Sequence, residues 1–211
     1  GRDCRRLLRQ AIGESGKSII ELLPVWLRPY EKVLQLVKGT SGWAHIDAAF
    51  ADGKGVIMLS PHIGCFEITS LYFAARHPVT AMYKPPREPK LAAQMLAGRQ
   101  RGLARLVPTD LSGVRAQLAA LRRNEAIGIL PDHVATGGDG AWAPFFGGPT
   151  YTPTLVVNLQ QKTGAPVFFL EDEPAHQIEA ASAIGLRPGD HAPLPVKECL
   201  LPGAMRLEAF R

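Results

Sequence analysis

The chain has 211 residues, which is enough for one sizeable hydrophobic core and too few for two large domains. Apolar residues make up 46% of it, so the composition excludes a disordered chain and favours a globular fold. Lysine and arginine outnumber aspartate and glutamate by 24 to 19, which favours an anionic partner. Nucleic acid is the least favoured such partner, because only 7% of residues are aromatic and none alternate with the arginines as a stacking surface requires.

The opening third of the chain is predicted to be helical. Apolar residues recur at helical spacing over residues 5–23, and Pro24 and Pro29 are predicted to end this helix. The apolar stretch 19–26 suits either a helix that packs on the core or one that lies in a membrane interface. No secretory signal peptide is recognised and no apolar run is long enough to span a bilayer. Membrane contact is therefore expected to be peripheral, or to depend on an anchor outside this sequence.

Predicted strands and helices alternate through the middle of the chain. Short apolar runs predict strands at residues 55–60, 79–83, 105–106, 126–130 and 166–170. Helical patterns cover residues 65–75, 94–102, 111–123 and 152–163, and residues 134–150 form a glycine-rich loop. This alternation predicts an α/β fold with a mainly parallel sheet flanked by helices.

After Leu170 the alternating pattern fails. Residues 171–211 contain five prolines, few β-branched residues and no clear period, so no element is predicted there. The sequence is therefore expected to form one domain over residues 1–170, followed by a C-terminal segment of uncertain fold. Within that domain, helices occupy residues 1–50 and an α/β core occupies residues 51–170.

Basic residues are concentrated in two parts of the chain. Nine of them lie between positions 84 and 123, against two acids, Glu88 and Asp110. The nine are Lys84, Arg87, Lys90, Arg99, Arg101, Arg105, Arg115, Arg122 and Arg123, and a second cluster comprises Arg2, Arg5, Arg6 and Arg9. Such clusters suit anionic lipid head groups or an acidic carrier protein, although a single surface arginine more often only solvates a helix face.

The strongest local signal is SPHIGCFE at residues 60–67, where a strand ends at a proline and a histidine precedes a helix. On one continuous helix His62 and Glu67 would point about 140° apart. They can meet only if His62 lies in a loop and Glu67 in the first helical turn, a geometry that Gly64 permits. A histidine held by a carboxylate is a standard general base. The alternative is a helix-capping histidine beside a solvent-facing glutamate.

Two other chemistries are less favoured at this motif. Cys65 lacks a separate base, so it is not expected to act as a nucleophile. A metal held by His62, Glu67, Asp132 and His133 is disfavoured, because no second histidine stands at ligand spacing around the motif. The three cysteines of the chain form neither a disulfide framework nor a metal-ligand pattern, which favours a reducing compartment.

Residues 59–69, LSPHIGCFEIT, resemble the H-x4-D/E motif of the lysophospholipid acyltransferase superfamily. More closely, the chain resembles the lipid A biosynthesis acyltransferases, the lauroyl- and myristoyltransferase family of Gram-negative bacteria. Five further segments follow in family order: YKPPR at 83–87, GRQRG at 98–102, LSGVRAQLAALRR at 111–123, GILPD at 128–132 and WAPFFGGPTYTPT at 142–154. The resemblance covers about residues 7–170 and implies an α/β fold like that of glycerol-phosphate acyltransferases.

The chain departs from the family pattern in three places. It begins downstream of the hydrophobic membrane helix with which family members normally start. His133 stands where the family usually has glutamine after the Pro-Asp pair. The C-terminal strands and aromatic-rich ending of the family are not recognisable after Leu170.

The resemblance implies transfer of an acyl chain from acyl carrier protein to a hydroxyl of a Kdo-bearing lipid A precursor, with no cofactor and no metal. It implies that His62 removes the hydroxyl proton and that Glu67 orients His62. Arg99 matches a functional arginine of the family and implies phosphate binding. Asp132 matches a functional aspartate, which implies that it holds an arginine or His62. Lys84, Arg87 and Arg101 are expected to complete the substrate-binding set with Arg99 and Asp132.

The implied partners are acyl carrier protein, the lipid A precursor and an anionic membrane surface, and not nucleic acid. The implied location is the cytoplasmic face of the bacterial inner membrane. Trp142, Phe145 and Phe146 are expected to line an acyl-chain pocket or touch the bilayer, unless their loop only covers the sheet edge. Two alternatives remain. One is an acyltransferase with another acceptor, such as a lysophospholipid, ornithine lipid or glycolipid; the other is a non-catalytic protein that binds lipid or carrier.

Overall fold

The computed structural model describes residues 2–62, 64–135, 138–145, 147–172 and 205–209. The helices in these residues are α1 (Arg2–Leu27), α2 (Tyr30–Leu34), α3 (Trp43–Ala51), α4 (Phe66–Phe73), α5 (Pro89–Arg99), α6 (Leu111–Arg122) and α7 (Leu155–Thr163). The strands are β1 (Val37–Ser41), β2 (Val56–Leu59), β3 (Val79–Met82), β4 (Ala104–Val107), β5 (Ala126–Ile129), β6 (Gly140–Phe145), β7 (Gly148–Pro153), β8 (Val167–Asp172) and β9 (Met205–Ala209).

A seven-stranded sheet forms the centre of the described structure, with the strand order β1-β9-β8-β2-β5-β3-β4. Neighbouring strands from β9 to β4 run parallel, whereas the edge strand β1 is antiparallel to β9. Strands β6 and β7 form a separate antiparallel hairpin. The prediction of an α/β fold with a mainly parallel sheet flanked by helices is confirmed.

Helices cover both faces of the sheet because the side chains of its central strands alternate between two apolar clusters. Val56 and Met58 of β2 pack with residues of α3 and α4 on one face. Ile57 and Leu59 of the same strand pack with residues of α6 and α7 on the other. All four side chains of β2 are buried, which is why this strand is a continuous apolar run in the sequence.

Helix α1 is longer at its C-terminal end than the sequence predicts. It runs through Pro24 to Leu27, and the N–H of Arg28 still donates to the carbonyl of Pro24 at 3.4 Å. A proline in the last turn removes one helical hydrogen bond, and burial of Val25 and Trp26 against the core offsets that loss. The prediction that Pro24 ends the helix is wrong. None of the helices within the described residues combines the length and the apolar character that crossing a bilayer requires.

Strand β1 lies in a part of the chain that was predicted to be helical, so that prediction is wrong for Val37–Ser41. The partner of β1 is β9, which comes from the C-terminal segment for which no element was predicted. A pairing across so many residues leaves no local pattern in the sequence, because an edge strand is defined by its neighbour rather than by its own periodicity. Residues 173–204 of that segment lie outside the described residues.

Two further elements differ from the prediction. Helix α5 starts at Pro89 rather than at residue 94, because proline suits the first helical position and the carboxylate of Glu88 accepts from the N–H of Leu91 at 2.6 Å. The predicted loop 134–150 contains most of the β6–β7 hairpin. Of its three aromatic residues, Trp142 and Phe145 are exposed, whereas Phe146 lies outside the described residues.

The close packing of α1 on α5 gives a testable prediction for stability. A Cβ atom added at Gly98 would lie 2.8–2.9 Å from three atoms of the Trp26 side chain. Overpacking costs about 1–3 kcal/mol, and alanine recovers up to about 1 kcal/mol of helix propensity. We therefore expect Gly98→Ala to lower the free energy of unfolding by about 1–2 kcal/mol in chemical denaturation.

The matched control is Gly13→Ala in the same helical layer, where an added Cβ would have no atom within 4 Å. This change should raise the free energy of unfolding by up to about 1 kcal/mol, because alanine is the better helix former. Equal effects of the two substitutions would contradict the tight contact between Gly98 and Trp26.

Candidate active site

The candidate site lies at the carboxyl edge of the sheet, where β2 and β5 end side by side. In their parallel register Leu59 is paired with Ile129, and the N–H of Ser60 donates to the carbonyl of Ile129 at 3.0 Å. His62 and Asp132 each follow three residues after this pair, so the register brings their loops together. This is the edge at which open α/β sheets bind their ligands.

Asp132 holds His62 by two hydrogen bonds. The ring nitrogen Nδ1 of His62 lies 2.9 Å from Oδ1 of Asp132. The backbone N–H of His62 donates to Oδ2 of the same carboxylate at 2.8 Å. One carboxylate therefore fixes both the imidazole ring and the loop that carries it. Asp132 was expected to contact either an arginine or His62, and the structure shows the contact with His62.

The protonation of this pair follows from the charge of Asp132. Partial burial acts to raise the pKa of Asp132, but hydrogen bonds from the backbone and ring of His62 outweigh it and bring the pKa below its usual value. Near neutral pH the carboxylate is thus ionised and only accepts hydrogen bonds, so Nδ1 of His62 carries the proton. When the ring carries only this proton, Nε2 keeps its lone pair, and the side chain is 49% exposed. Such a nitrogen can accept a proton from a bound hydroxyl group.

Two local features position the His62 loop against helix α4. Gly64 has a φ of +62°, which residues with a Cβ rarely adopt, and this turn leads the chain into the helix. The ring of Phe66 meets the imidazole edge-on, with the ring centroids 4.5 Å apart. The expected placement of His62 in a loop and Glu67 in the first helical turn is confirmed.

Glu67 is paired with Arg99 rather than with His62. Its side chain is only 3% exposed, and Nε of Arg99 donates to its two carboxylate oxygens at 3.0 and 2.9 Å. Nη2 of Arg99 donates to the same carboxylate. The Cζ atom of Arg99 also lies 5.7 Å from the ring centroid of Trp26 and 5.6 Å from that of Tyr83.

The expectation that Glu67 orients His62 by direct contact is therefore not met. The first turn of α4 directs the Glu67 carboxylate toward α5, where a buried negative charge has a cation to compensate it. The loop before α4 directs His62 toward the end of β5 instead. The two residues of the motif thus have different partners, Arg99 and Asp132, and each partner comes from a different element.

Arg101 caps the C-terminal end of α1, and the substrate-binding role expected for it stays a prediction. Nη1 of Arg101 donates to the carbonyls of Arg28 at 2.8 Å and Val25 at 3.4 Å, and Nη2 donates to the carbonyl of Trp26. The last carbonyls of a helix have no N–H partner within the helix, so a cation is favourable there. Arg101 thereby joins α1 to the turn after α5.

Lys84 and Arg87 lie in the connection between β3 and α5. Since β3 is parallel to β5, this connection leaves the sheet at the same edge as the loops of His62 and Asp132. Both basic side chains are exposed. Their position suits binding of an anionic group near the site, and their substrate-binding role stays a prediction.

A cavity of about 90 Å³ adjoins the pair of Glu67 and Arg99. It lies between helices α4 and α5 and strands β3, β4 and β5, and most of its wall is apolar. The polar part of the wall includes Ser60, whose hydroxyl oxygen lies 2.9 Å from that of Thr69. A mostly apolar cavity therefore lies next to the ion pair of Glu67 and Arg99.

The contacts of this site join residues that are far apart in sequence. Asp132 is 70 positions from His62, and Arg99 is 32 positions from Glu67. No periodicity relates such positions. The partner of Asp132 was therefore left open between an arginine and His62, and the pairing of Glu67 with Arg99 was not expected. The contact of Phe66 with His62 was not predicted. The position of Phe66 next to Glu67 at the start of a helix is a sequence feature that could have indicated it.

Three local observations concern metal binding and a cysteine nucleophile at this motif. Within the part of the chain that the structure describes, no three His, Cys, Asp or Glu side chains are grouped to hold a metal ion. Nδ1 of His133 lies 2.8 Å from the carbonyl oxygen of Leu130. The Cys65 side chain is buried next to the first turn of α4.

Comparison with known proteins adds to this geometry. The family described as bacterial lipid A biosynthesis acyltransferase matches residues 2–171 of the chain. A lipid A biosynthesis acyltransferase of Haemophilus influenzae is 29% identical over 126 residues, which are 59% of this chain and 39% of that protein. A phosphatidylinositol mannoside acyltransferase of Mycobacterium tuberculosis is 27% identical over 135 residues, or 62% and 42% of the two chains. A lipid A biosynthesis lauroyltransferase of Escherichia coli is 20% identical over 142 residues, or 67% and 45%.

These alignments span about two fifths of the length of each relative. The family match is more extensive on this chain, since it begins in α1 and ends in β8 and so includes every residue of the candidate site. The chain therefore belongs to the bacterial lipid A biosynthesis acyltransferase family.

Proposed function

We propose that this chain carries the active site of an acyltransferase in which His62 is the general base. The observation that carries the proposal is the contact with Asp132: Nδ1 of His62 lies 2.9 Å from Oδ1, so Nε2 is left to accept a proton. A lipid hydroxyl is a poor nucleophile until its proton leaves, and an oriented imidazole can remove it. The negative charge of Asp132 stabilises the imidazolium that forms.

In the proposed reaction no covalent enzyme intermediate is needed. The acceptor oxygen attacks the carbonyl carbon of an acyl thioester while its proton moves to Nε2 of His62. N–H groups at the start of α4, near Gly64, or an arginine stabilise the tetrahedral oxyanion. Collapse of this intermediate breaks the carbon–sulfur bond, and the imidazolium returns the proton to the departing thiolate.

We infer that the acyl donor is acyl carrier protein and the acceptor a Kdo-bearing lipid A precursor, at the cytoplasmic face of the bacterial inner membrane. Family membership and the names of the Haemophilus influenzae and Escherichia coli relatives support a lipid A acceptor. Lys84 and Arg87 provide exposed positive charge for acceptor phosphates or for an acidic carrier protein. Arg99 is assigned to positioning through Glu67 rather than to phosphate binding.

A second acceptor class is supported by one comparison. The Mycobacterium tuberculosis relative is named as a phosphatidylinositol mannoside acyltransferase, so a glycosylated inositol lipid is the alternative acceptor. The proton transfer to His62 is the same for both classes, because each presents a hydroxyl group. The two acceptors differ in how sugars and phosphates are arranged around that hydroxyl, and the exposed basic residues would distinguish them.

Acceptor preference tests this proposal. A labelled acyl chain on acyl carrier protein is supplied with either a Kdo-bearing lipid A precursor or a phosphatidylinositol mannoside, dispersed in the same detergent. We expect turnover on the Kdo-bearing acceptor to be about tenfold higher or more, because polar groups arranged for one head group are left unpaired by the other. The reverse preference would assign the chain to glycolipid acylation. Transfer to neither acceptor by the folded protein would argue against an acyltransferase.

A further inference from the structure

Helix α1 exposes a group of large aliphatic side chains on its outer side. Over its last turns Leu22, Val25 and Trp26 face the core. The exposed group on the same turns consists of Ile19, Ile20, Leu23 and Leu27, whose side chains are 55–68% accessible to solvent. The core covers only part of the apolar surface of this helix. The remaining aliphatic side chains stay in contact with water unless a second apolar environment covers them.

The exposed apolar side continues toward the N-terminal end of the helix. Leu8 and Ile12 are also more than 60% exposed. At 100° per residue, Leu8, Ile12, Ile19 and Leu23 project within about 60° of one another. They form one stripe along α1, which is called the outer stripe below and which consists of these four residues with Ile20 and Leu27.

The charges of α1 indicate what covers the outer stripe. Residues 1–17 contain five basic residues, Arg2, Arg5, Arg6, Arg9 and Lys17, against two acids, Asp3 and Glu14. The side chains of Arg5, Arg6 and Arg9 are exposed. An apolar stripe beside arginines is the composition of a helix that lies in the interface of an anionic bilayer. There the aliphatic groups enter the acyl boundary while the guanidinium groups stay among the phosphates.

We propose that the outer stripe of α1 binds in the plane of an anionic bilayer surface and orients the active site toward its lipid acceptor. The inference deepens the proposed function and rests on it, because a lipid acceptor is presented in a bilayer. A second copy of the chain is the less suitable occupant. Packing two outer stripes together would bring arginines near one another or strip them of water, and either costs free energy.

A chain of contacts links the outer stripe to the site. Trp26, in the last turn of α1, packs on Gly98, and its ring centroid lies 5.7 Å from the Cζ atom of Arg99. Arg99 in turn holds Glu67 in the first turn of α4. Arg101 joins the C-terminal carbonyls of α1 to the turn that follows α5. A bilayer that binds α1 therefore binds a helix fixed to the elements that position His62.

The test is flotation of the purified chain with vesicles that contain neither acceptor nor acyl donor. One set is phosphatidylcholine alone, and in the other phosphatidylglycerol replaces part of it. The chain is expected to float with the anionic vesicles, and Ile19→Ser/Ile20→Ser to bind them about tenfold more weakly or worse. Serine and isoleucine have similar helix propensities, so α1 should persist, which circular dichroism checks.

Two further variants separate the outer stripe from general surface effects. Leu111→Ser is the matched control, because Leu111 is 73% exposed on α6, across the sheet from α1, and binding should not change. Arg5→Glu/Arg9→Glu should reduce binding to anionic vesicles about tenfold or more at low salt and less at high salt.

Three outcomes would overturn the proposal: a wild-type chain that does not float with anionic vesicles, a double serine variant that binds as well as the wild type, or equal loss in Leu111→Ser. A change from dimer to monomer in the serine variant, with no change in flotation, would assign the outer stripe to a second copy instead. Because these vesicles support no turnover, failure of acyl transfer would leave the flotation result intact, and the two proposals can fail separately.

Discussion

Substitution of His62 by alanine is expected to reduce acyl transfer at least about a thousandfold while leaving the fold intact. General base catalysis contributes roughly 10²–10⁴-fold to a rate, and here the base also determines whether the hydroxyl becomes a nucleophile at all. The ring of His62 is half exposed, so its removal should change the free energy of unfolding by no more than about 1 kcal/mol. Initial rates at a saturating concentration of the proposed donor, acylated carrier protein, together with chemical denaturation, measure both effects.

Asp132→Asn tests the same base through its orienting group. The amide keeps the shape of the carboxylate, but its NH₂ group can donate to Nδ1 of His62 and so favours the tautomer with the proton on Nε2. That tautomer cannot accept a proton at the reacting position. We expect kcat to fall by roughly 10²–10⁴-fold with little change in KM.

The neighbouring histidine provides the matched control. His133 is exposed, and its Nδ1 lies near the carbonyl of Leu130. His133→Ala therefore removes an imidazole from the loop that carries Asp132 and leaves the pair of His62 and Asp132 in place. This variant should keep most of the wild-type rate. Full turnover by His62→Ala, or equal losses in the two histidine variants, would remove His62 from the mechanism.

The layered fold could be predicted from the sequence because its strands are local signals. The runs that became β2, β5 and β8 are short and almost entirely apolar, as strands buried on both faces must be. Their order in the sheet is not a local property. It is set by which helices pack on which face, and β2 lies between β8 and β5 although neither is its neighbour in the chain.

The residues of the candidate site were predictable from the sequence, whereas their contacts were predictable only in part. Contact with His62 was one of two contacts expected for Asp132, but the partner found for Glu67 was not expected. The motif gave His62 and Glu67, and the expected helix start placed one in a loop and the other in a first turn, as the structure confirms. Their partners depend on the parallel register that sets Leu59 beside Ile129 and on the approach of α5 to α4. Neither register nor helix packing leaves a periodic trace in one sequence.

The family resemblance supplied part of this missing information and also had limits. It gave Arg99 and Asp132 as functional positions, and the structure brings both to the motif. It left the partner of Asp132 open between an arginine and His62, and it matched Glu67 with His62 rather than with Arg99. Arg101 was expected at a substrate, whereas its donors in the structure reach the end of α1. The order of the family motifs along the chain identifies functional positions, but it does not identify the residues that each of them contacts.

Breaking the ion pair of Glu67 and Arg99 from one side is expected to destabilise the protein as well as inactivate it. In Glu67→Leu the guanidinium keeps its place beside Trp26 and Tyr83 but loses the carboxylate that compensates its charge. Removal of one partner of a buried pair typically costs about 3–5 kcal/mol. Because 24% of the Arg99 side chain is exposed, we expect a loss of about 3 kcal/mol in the free energy of unfolding.

The double variant Glu67→Leu/Arg99→Met should separate stability from activity. Apolar residues of similar volume often replace a buried ion pair at no net cost, so most of the lost free energy of unfolding should return. Acyl transfer should not return with it. The pair ties α5 to the first turn of α4, where the Phe66 ring meets the imidazole of His62, and an apolar contact lacks the geometry that a bidentate pair imposes.

Chemical denaturation and transfer rates for the wild type, both single variants and the double variant complete the cycle. Glu125→Leu is the control, because it breaks the more exposed pair of Arg123 and Glu125 and should change stability far less. If the double variant regained both stability and turnover, the pair would serve the fold alone. If Glu67→Leu were as stable as the wild type yet inactive, Glu67 would take part in the chemistry directly. Recovered stability without turnover is the result that makes the pair a positioning device for the His62 base.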